Sequence, residues 1–165
     1  LAEYPFDALY FTGFKNLADA QCALMGARAV YDGPLFISLC PDAEGLFHDG
    51  RTLPEGVALC SEYGADVIGV VSDAPARVLV GFAKEMAAAT EKPLLVDIVV
   101  RRKDKRQFEP TDENPYPTAD TLVELALRLR AQGVEFLRAS GAATPAYTGA
   151  LLATVGGSDV VVPQQ

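Results

Sequence analysis

The chain has 165 residues, half of them hydrophobic and 22% charged, with a formal net charge of −8, the composition of one globular domain over residues 1–165 with enough apolar side chains for a core. The acidic balance excludes broad nucleic-acid contact, which depends on clustered Lys and Arg that release counterions, and it opposes binding to an anionic membrane surface. No run approaches the roughly 18 uncharged apolar residues that a membrane span requires. The chain opens at Leu1 with neither an initiator Met nor a basic-then-apolar leader, and its three cysteines, Cys22, Cys40 and Cys60, are an odd number at wide spacings. They read as reduced thiols, and a cytoplasmic location is the expectation.

Five short apolar runs recur along the chain, each leading into a helix-like segment. The first, Asp7 to Phe11, is followed by Asn16, a good helix cap, and by Leu17, Ala20, Leu24 and Ala27 at helical spacing. The second, Pro34 to Cys40, enters a loop with Gly45 and Gly50, after which Thr52-Leu-Pro-Glu55 supplies a capping-box pair and an early proline. Gly64 closes that helix. The third run, Asp66 to Val71, meets Asp73-Ala-Pro75, and Val78, Val80, Phe82 and Met86 mark the next helix. The fourth, Pro93 to Val99, is nearly continuous in β-formers, as expected of a parallel strand covered on both faces. Charges and prolines without periodicity from Arg101 to Pro117 predict a long loop at the carboxyl end of that strand. Leu122, Leu125, Ala126 and Leu129 define an amphipathic helix ended by Gly133, Val134 to Ala139 is the fifth run, and Thr144-Pro145 opens the last helix. The tail Ser158-Asp-Val-Val-Val-Pro163 reads as a short sixth strand or a docking segment.

Strand and helix alternate at roughly 30 residues, the signature of right-handed βαβ units and a parallel sheet. The fold class is α/β, with about five strands. A complete eight-stranded barrel of this kind needs about 250 residues, so the pattern fits a partial TIM barrel; an open doubly wound sheet is the alternative that the pattern leaves standing. In either case the outer strands expose unpaired backbone groups, and a homodimer or further domains are expected to cover them.

Asp97 stands alone in an apolar strand, where an isolated charge is costly, so it requires either a wet barrel mouth or a partner such as Arg138. Ser72 and Ser140 lie in no Gly-x-Ser-x-Gly elbow and have only His48 as a potential base, which leaves serine-hydrolase chemistry a remote option. Ser140 and Thr144 read instead as donors' partners at the last helix start, and Ser72 or Asp73 as the cap of the helix before it. Cys40 ends a strand, with Asp42 and His48 in the following loop, at a spacing that matches no standard zinc arrangement; Cys22 and Cys60 fall inside helices as buried, inert thiols.

Asp7-Ala-Leu-Tyr-Phe-Thr-Gly-Phe-Lys-Asn-Leu-Ala-Asp-Ala20 resembles the homocysteine S-methyltransferase domain, which includes the homocysteine modules of cobalamin-dependent methionine synthase and of betaine-homocysteine methyltransferase. There the segment typically reads Asp-Leu-Leu-Leu-Ile-Glu-Thr-Phe-x-Asp-Leu-x-Glu-Ala. The resemblance continues through Pro34-Leu-Phe-Ile-Ser38, Asp49-Gly-Arg-Thr-Leu53, Gly64-Ala-Asp-Val-Ile-Gly69, Gly133-Val-Glu-Phe136 and Ala143-Thr-Pro145. It implies that the five strands correspond to the fourth through eighth of the family's barrel. It also implies zinc held by three cysteines, which lowers the pKa of a homocysteine thiol. The family's Gly-x-Asn-Cys reads here Gly69-Val-Val-Ser72, and its Gly-Gly-Cys-Cys-Gly-Thr-Thr-Pro reads Arg138-Ala-Ser-Gly-Ala-Ala-Thr-Pro145. Every thiolate is missing, so no metal and no cofactor are expected. The acidic residue ending the fourth strand has become Thr12, and Tyr-Pro-Asn-Ala-Gly after the seventh reads Asp97-Ile-Val-Val-Arg101.

The resemblance therefore implies a homocysteine methyltransferase-like binding or assembly module of methionine and one-carbon metabolism that has lost its zinc chemistry. Thr12, Cys40, Ser72, Asp97, Ser140 and Gly141 are the candidate pocket residues, and no catalytic residue is assigned. Two alternatives stay open. One is methyl transfer to an altered acceptor, with Thr12, Ser72 and Ser140 lining the pocket. The other is a small phosphorylated or anionic ligand held between Arg101-Arg-Lys-Asp-Lys-Arg106 and the helix start after Ser140.

Overall fold

The computed structural model describes residues 6–103 and 106–155 of the chain. Strands and helices alternate throughout: β1 (Leu9–Phe14), α1 (Leu17–Arg28), β2 (Leu35–Leu39), α2 (Leu53–Glu62), β3 (Val67–Ser72), α3 (Ala76–Ala89), β4 (Leu94–Val100), α4 (Thr121–Ala131), β5 (Val134–Gly141) and α5 (Pro145–Ala153). Local chemistry sets several of these boundaries. The Asn16 side chain accepts a hydrogen bond from the Ala18 N–H at 2.9 Å and starts α1. Thr52 and Glu55 form the capping box of α2 with Pro54 in its first turn. Gly64 and Gly133 directly follow the C-caps Tyr63 and Gln132. No helix among the described residues is long and apolar enough to cross a membrane. The tail Ser158–Pro163, read from sequence as a strand or docking segment, lies outside the described residues.

All strand pairs are parallel, and their order in the sheet is β1-β2-β3-β4-β5. A doubly wound sheet reverses direction at a switch point; this order contains no reversal, so the doubly wound alternative is not the one that forms. With right-handed crossovers throughout, sequential order places every helix on the same face of the sheet. The sheet is open, with β1 and β5 as its edges.

The helix-facing side of the sheet holds the core. Leu35, Ile37 and Leu39 of β2, Ile68 and Val70 of β3 and Val96, Ile98 and Val100 of β4 are buried there with Leu17, Leu24, Leu53, Leu79, Phe82, Met86 and Leu122 from the helices. Because side chains alternate along a strand, the intervening residues face the opposite, concave side: Tyr10, Phe36, Ser38, Gly69, Leu95, Asp97, Phe136 and Arg138. Phe36 of β2 and Phe136 of β5 meet edge to face at 5.2 Å between centroids. Three strand spacings separate β2 from β5, about 14 Å in a flat sheet. The contact therefore requires a sheet rolled around its concave face, with the helices outside.

Gly69 sits at the centre of this bend, on β3 between β2 and β4. A Cβ placed there meets the Leu95 carbonyl oxygen at 2.7 Å and the Leu95 side chain at 2.8 Å. Substitution Gly69→Ala is expected to cost about 1–3 kcal/mol through overpacking, read as a lowered midpoint in chemical denaturation. An unchanged midpoint would show that β3 and β4 are not this close.

Candidate functional site

In parallel sheets wound this way, ligands bind beyond the carboxyl ends of the strands. A cavity of about 400 Å³ opens there, lined by Lys15 after β1, Cys40 and Asp42 after β2, Val71, Ser72 and Asp73 at the end of β3, and Val99 and Arg101 from β4. Two of the candidates from sequence, Cys40 and Ser72, share this cavity. Burial pushes the Cys40 thiol above its ordinary pKa, with Asp73 reinforcing the rise and Lys15 opposing it, so the thiol stays protonated and weakly nucleophilic at neutral pH. The Ser72 hydroxyl accepts a hydrogen bond from the Ala74 N–H at 3.1 Å.

The remaining candidates, Thr12, Asp97, Ser140 and Gly141, are not among the residues that line this cavity. Ser140 pairs in register with Val99, a residue of the cavity wall, and Gly141 with Val100. Thr12 is exposed on β1 opposite Ser38. Asp97 pairs with Val71, also of the wall, and occupies the concave face two residues before Val99. Its side chain is only 1% exposed, and Arg138 of the neighbouring β5 donates from Nη1 to Asp97 Oδ2 at 2.9 Å. The partner named from sequence is thus in place. Sequence reading missed the rest of this cluster. The Tyr10 hydroxyl is hydrogen-bonded to the fully buried Ser38 and lies 3.4 Å from Asp97 Oδ2, and its ring lies 5.4 Å under the Arg138 guanidinium. The period-two alternation of β1 and β2 was the available signal, since it assigns Tyr10 and Ser38 to the face of Asp97.

Two capping assignments need correction. Helix α3 begins with Pro75 as its N-cap and no side-chain cap bond, because Ser72 serves the turn at Ala74 while Asp73 pairs with Arg101 at 2.6 Å. Thr144 is the N-cap residue of α5 but makes no side-chain cap bond either. Cys22 is exposed rather than buried, since Leu17, Ala20, Leu24 and Ala27 turn the other side of α1 inward. Cys60 is buried, as expected, and burial pushes its thiol up to about 12.

A three-thiolate zinc site does not fit these residues. Ser72 and Ser140 offer neutral hydroxyls in place of soft anionic sulfur. Gly141 has φ +71°, and a Cβ there would meet the Val100 carbonyl oxygen at 2.6 Å, so the backbone excludes a ligating side chain as well as lacking one. Among the described residues no group of three or more His, Cys, Asp or Glu could hold a metal ion, the Cys40, Asp42 and His48 loop included.

Arg101, Arg102 and Lys103 of the basic run line a second cavity, of about 510 Å³, together with Ala142 and Thr144 at the entry to α5. Arg101 pairs with Asp73 and donates to the Glu113 carbonyl, and Lys103 lies 4.9 Å over the Phe108 ring. Farther along, the buried Tyr116 donates to the Ala74 carbonyl at 2.7 Å, and Tyr147 of α5 donates to the Tyr116 carbonyl at 3.0 Å. Burial raises both phenols, which keeps them donors. Asp104 and Lys105 lie outside the described residues.

No family model matches this sequence, and no curated protein matches it. Among solved structures the chain is similar to the homocysteine methyltransferase MmuM from Escherichia coli. Against the apo form the TM-score is 0.70 at 17% identity, covering 90% of this chain and 49% of that one. The metallated form gives 0.68 at 19% identity over 89% and 44%, and the oxidised form 0.67 at 18% over 89% and 45%. The chain spans about half the length of these structures. At such identities the likeness is one of fold: an α/β sheet matching part of a TIM-barrel-like methyltransferase.

The three thiols provide a direct check on the geometry. A chromogenic disulfide reagent at mildly alkaline pH is expected to modify Cys22 quickly, Cys40 slowly and Cys60 only after denaturation. Rapid reaction of Cys60 in the native chain would contradict its burial.

Proposed function

We propose that this chain is a homocysteine methyltransferase-like module that binds a small molecule or assembles with further βα units, in methionine or one-carbon metabolism, without zinc-dependent methyl transfer of its own. The observation that carries the reading is the carbonyl of Val100 lying 2.6 Å from where a side chain at Gly141 would begin. A site that has exchanged ligands can regain them by single substitutions; a site whose backbone has closed against a ligand cannot. Retention of the rolled sheet, its capping box and its mouth cavity supports a binding role. Free thiols at Cys22, Cys40 and Cys60 are compatible with the cytoplasm as its location.

The test combines metal analysis with a methyl-transfer assay. Purified chain equilibrated with zinc and desalted is expected to hold far less than one zinc per molecule and to leave homocysteine unmethylated in the presence of a methyl donor. Stoichiometric zinc would overturn the reading, and so would turnover, which without zinc would favour an altered acceptor at Thr12, Ser72 and Ser140.

The assembly half of the proposal rests on the edges. β1, Leu9–Phe14, contains no charged residue to discourage pairing, and α5 has none either, yet leaves Leu152 64% exposed, with Val155 just beyond it 49% exposed. Light scattering after size exclusion is expected to report a dimer, or a monomer that becomes monodisperse only when expressed with the adjoining half of its barrel. A monodisperse, soluble monomer alone would count against it.

A further inference from the structure

The departures from the family pattern include a gain. Asp97 and Arg138 stand where that pattern has a tyrosine and a glycine, and they face each other across β4 and β5 on the concave face. A charge pair in this position is not explained by stability. Desolvating a carboxylate inside a parallel sheet costs several kcal/mol, and apolar residues of similar volume generally serve folding equally well. The pair is also incompletely satisfied: Asp97 Oδ1 is buried and has no hydrogen-bond partner among the described residues. Arg138 is in the opposite condition. Its side chain is 47% exposed, and among the described residues only Nη1 is engaged, by Asp97. The other guanidinium donors remain available. The surroundings are aromatic, with the Tyr10 ring 5.4 Å from the guanidinium carbon and the Phe36 and Phe136 pair beside it on the same face.

A guanidinium fixed at one corner by a buried carboxylate, resting on one ring and flanked by two more, matches the demands of a planar oxyanion attached to a flat apolar body. We propose that the concave face carries an oxyanion-recognition site of this kind, in which Arg138 contacts the carboxylate of a small aromatic or flat apolar molecule and Asp97 is the positioning residue. The proposal deepens the binding-module reading and rests on it. It uses Tyr10, Phe36, Asp97, Phe136 and Arg138, and none of the positions that correspond to zinc ligands.

Benzoate is the probe, because it combines the carboxylate with one ring and nothing else. Calorimetric titration of the full chain is expected to give a dissociation constant on the order of 1 mM, consistent with a ligand of so few atoms. Inorganic phosphate is expected to bind at least about tenfold more weakly, having no surface to offer the rings; equal or tighter phosphate binding overturns the carboxylate assignment. Arg138→Gln should abolish benzoate binding, and Arg138→Lys should weaken it about tenfold, since a point charge lacks the fork. Because Arg138→Gln strands a buried carboxylate, the double variant Asp97→Asn with Arg138→Gln is made alongside it; a folded double variant that still binds like the parent overturns the proposal, as does a parent chain that shows no binding at tens of millimolar. For Asp97 the readout is the Arg138 side-chain N–H resonance, expected to shift on benzoate addition in the parent and not in Asp97→Asn. An equal shift in both would remove the positioning role. Lys84→Gln, a change at an exposed basic residue of α3 on the helix side of the sheet, should leave benzoate affinity unchanged. Zinc-dependent methyl transfer would defeat the module reading without altering benzoate affinity, so the two failures can be told apart.

Discussion

A parallel sheet wound in one direction has all its helices on one side, and its other face must be dealt with by the sheet itself. In this chain the strand order β1 to β5 imposes that condition, and the sheet responds by rolling until residues three strands apart touch. Phe36 against Phe136 and Tyr10 against Asp97 are the contacts that result. The bend permits only a small residue at its centre, and Gly69, with the Leu95 backbone closing on it, fills that requirement. Core, curvature and mouth are thus consequences of one winding rule applied to five repeats.

Packing and strand-end roles are divided along the same strands. Residues that face the helices have the apolar identities that packing requires, and the fold is similar to part of a TIM-barrel-like methyltransferase at 17–19% identity. Residues at the strand ends face no such packing demand. There Ser72 is the acceptor of a local turn, Asp73 and Arg101 tie β3 to the long loop, and Gly141 brings the backbone of β5 against Val100.

What could be read from the sequence was what depends on near neighbours. The alternation of β-formers and helical spacings, the Asn16 cap, the capping box at Thr52 and Glu55 and the long loop after β4 are all local, and all are present. Arg138 as the partner of Asp97 was accessible because the two lie on adjacent parallel strands. The strand order was not: composition and periodicity are the same for a sheet that reverses and one that does not. Alternation assigns Tyr10 and Phe36 to the face of Asp97, but the contacts of Tyr10 with Asp97 and of Phe36 with Phe136 depend on a curvature that local pattern does not carry. The misplacement of Cys22 was avoidable, since two residues beyond Ala20 is the far side of an amphipathic helix. The capping roles given to Ser72 and Thr144 failed because prolines at 75 and 145 already fix the entry into α3 and α5, leaving the hydroxyls to other uses or none.

A carboxylate within a run of Leu, Val and Ile, here Asp97, is tolerated only if its charge is met, and Arg138 meets it through one oxygen from the edge strand. That arrangement ties the position of an exposed cation to the most buried ionisable group on the concave face, and it does so across the β4 and β5 ladder, where register is set by packing on the helix side. A guanidinium on a surface loop would sample many orientations; this one is held by a strand, a carboxylate and a ring together. Preorganisation of that kind lowers the entropic cost of recognising a ligand, which is what the proposed oxyanion site asks of Arg138.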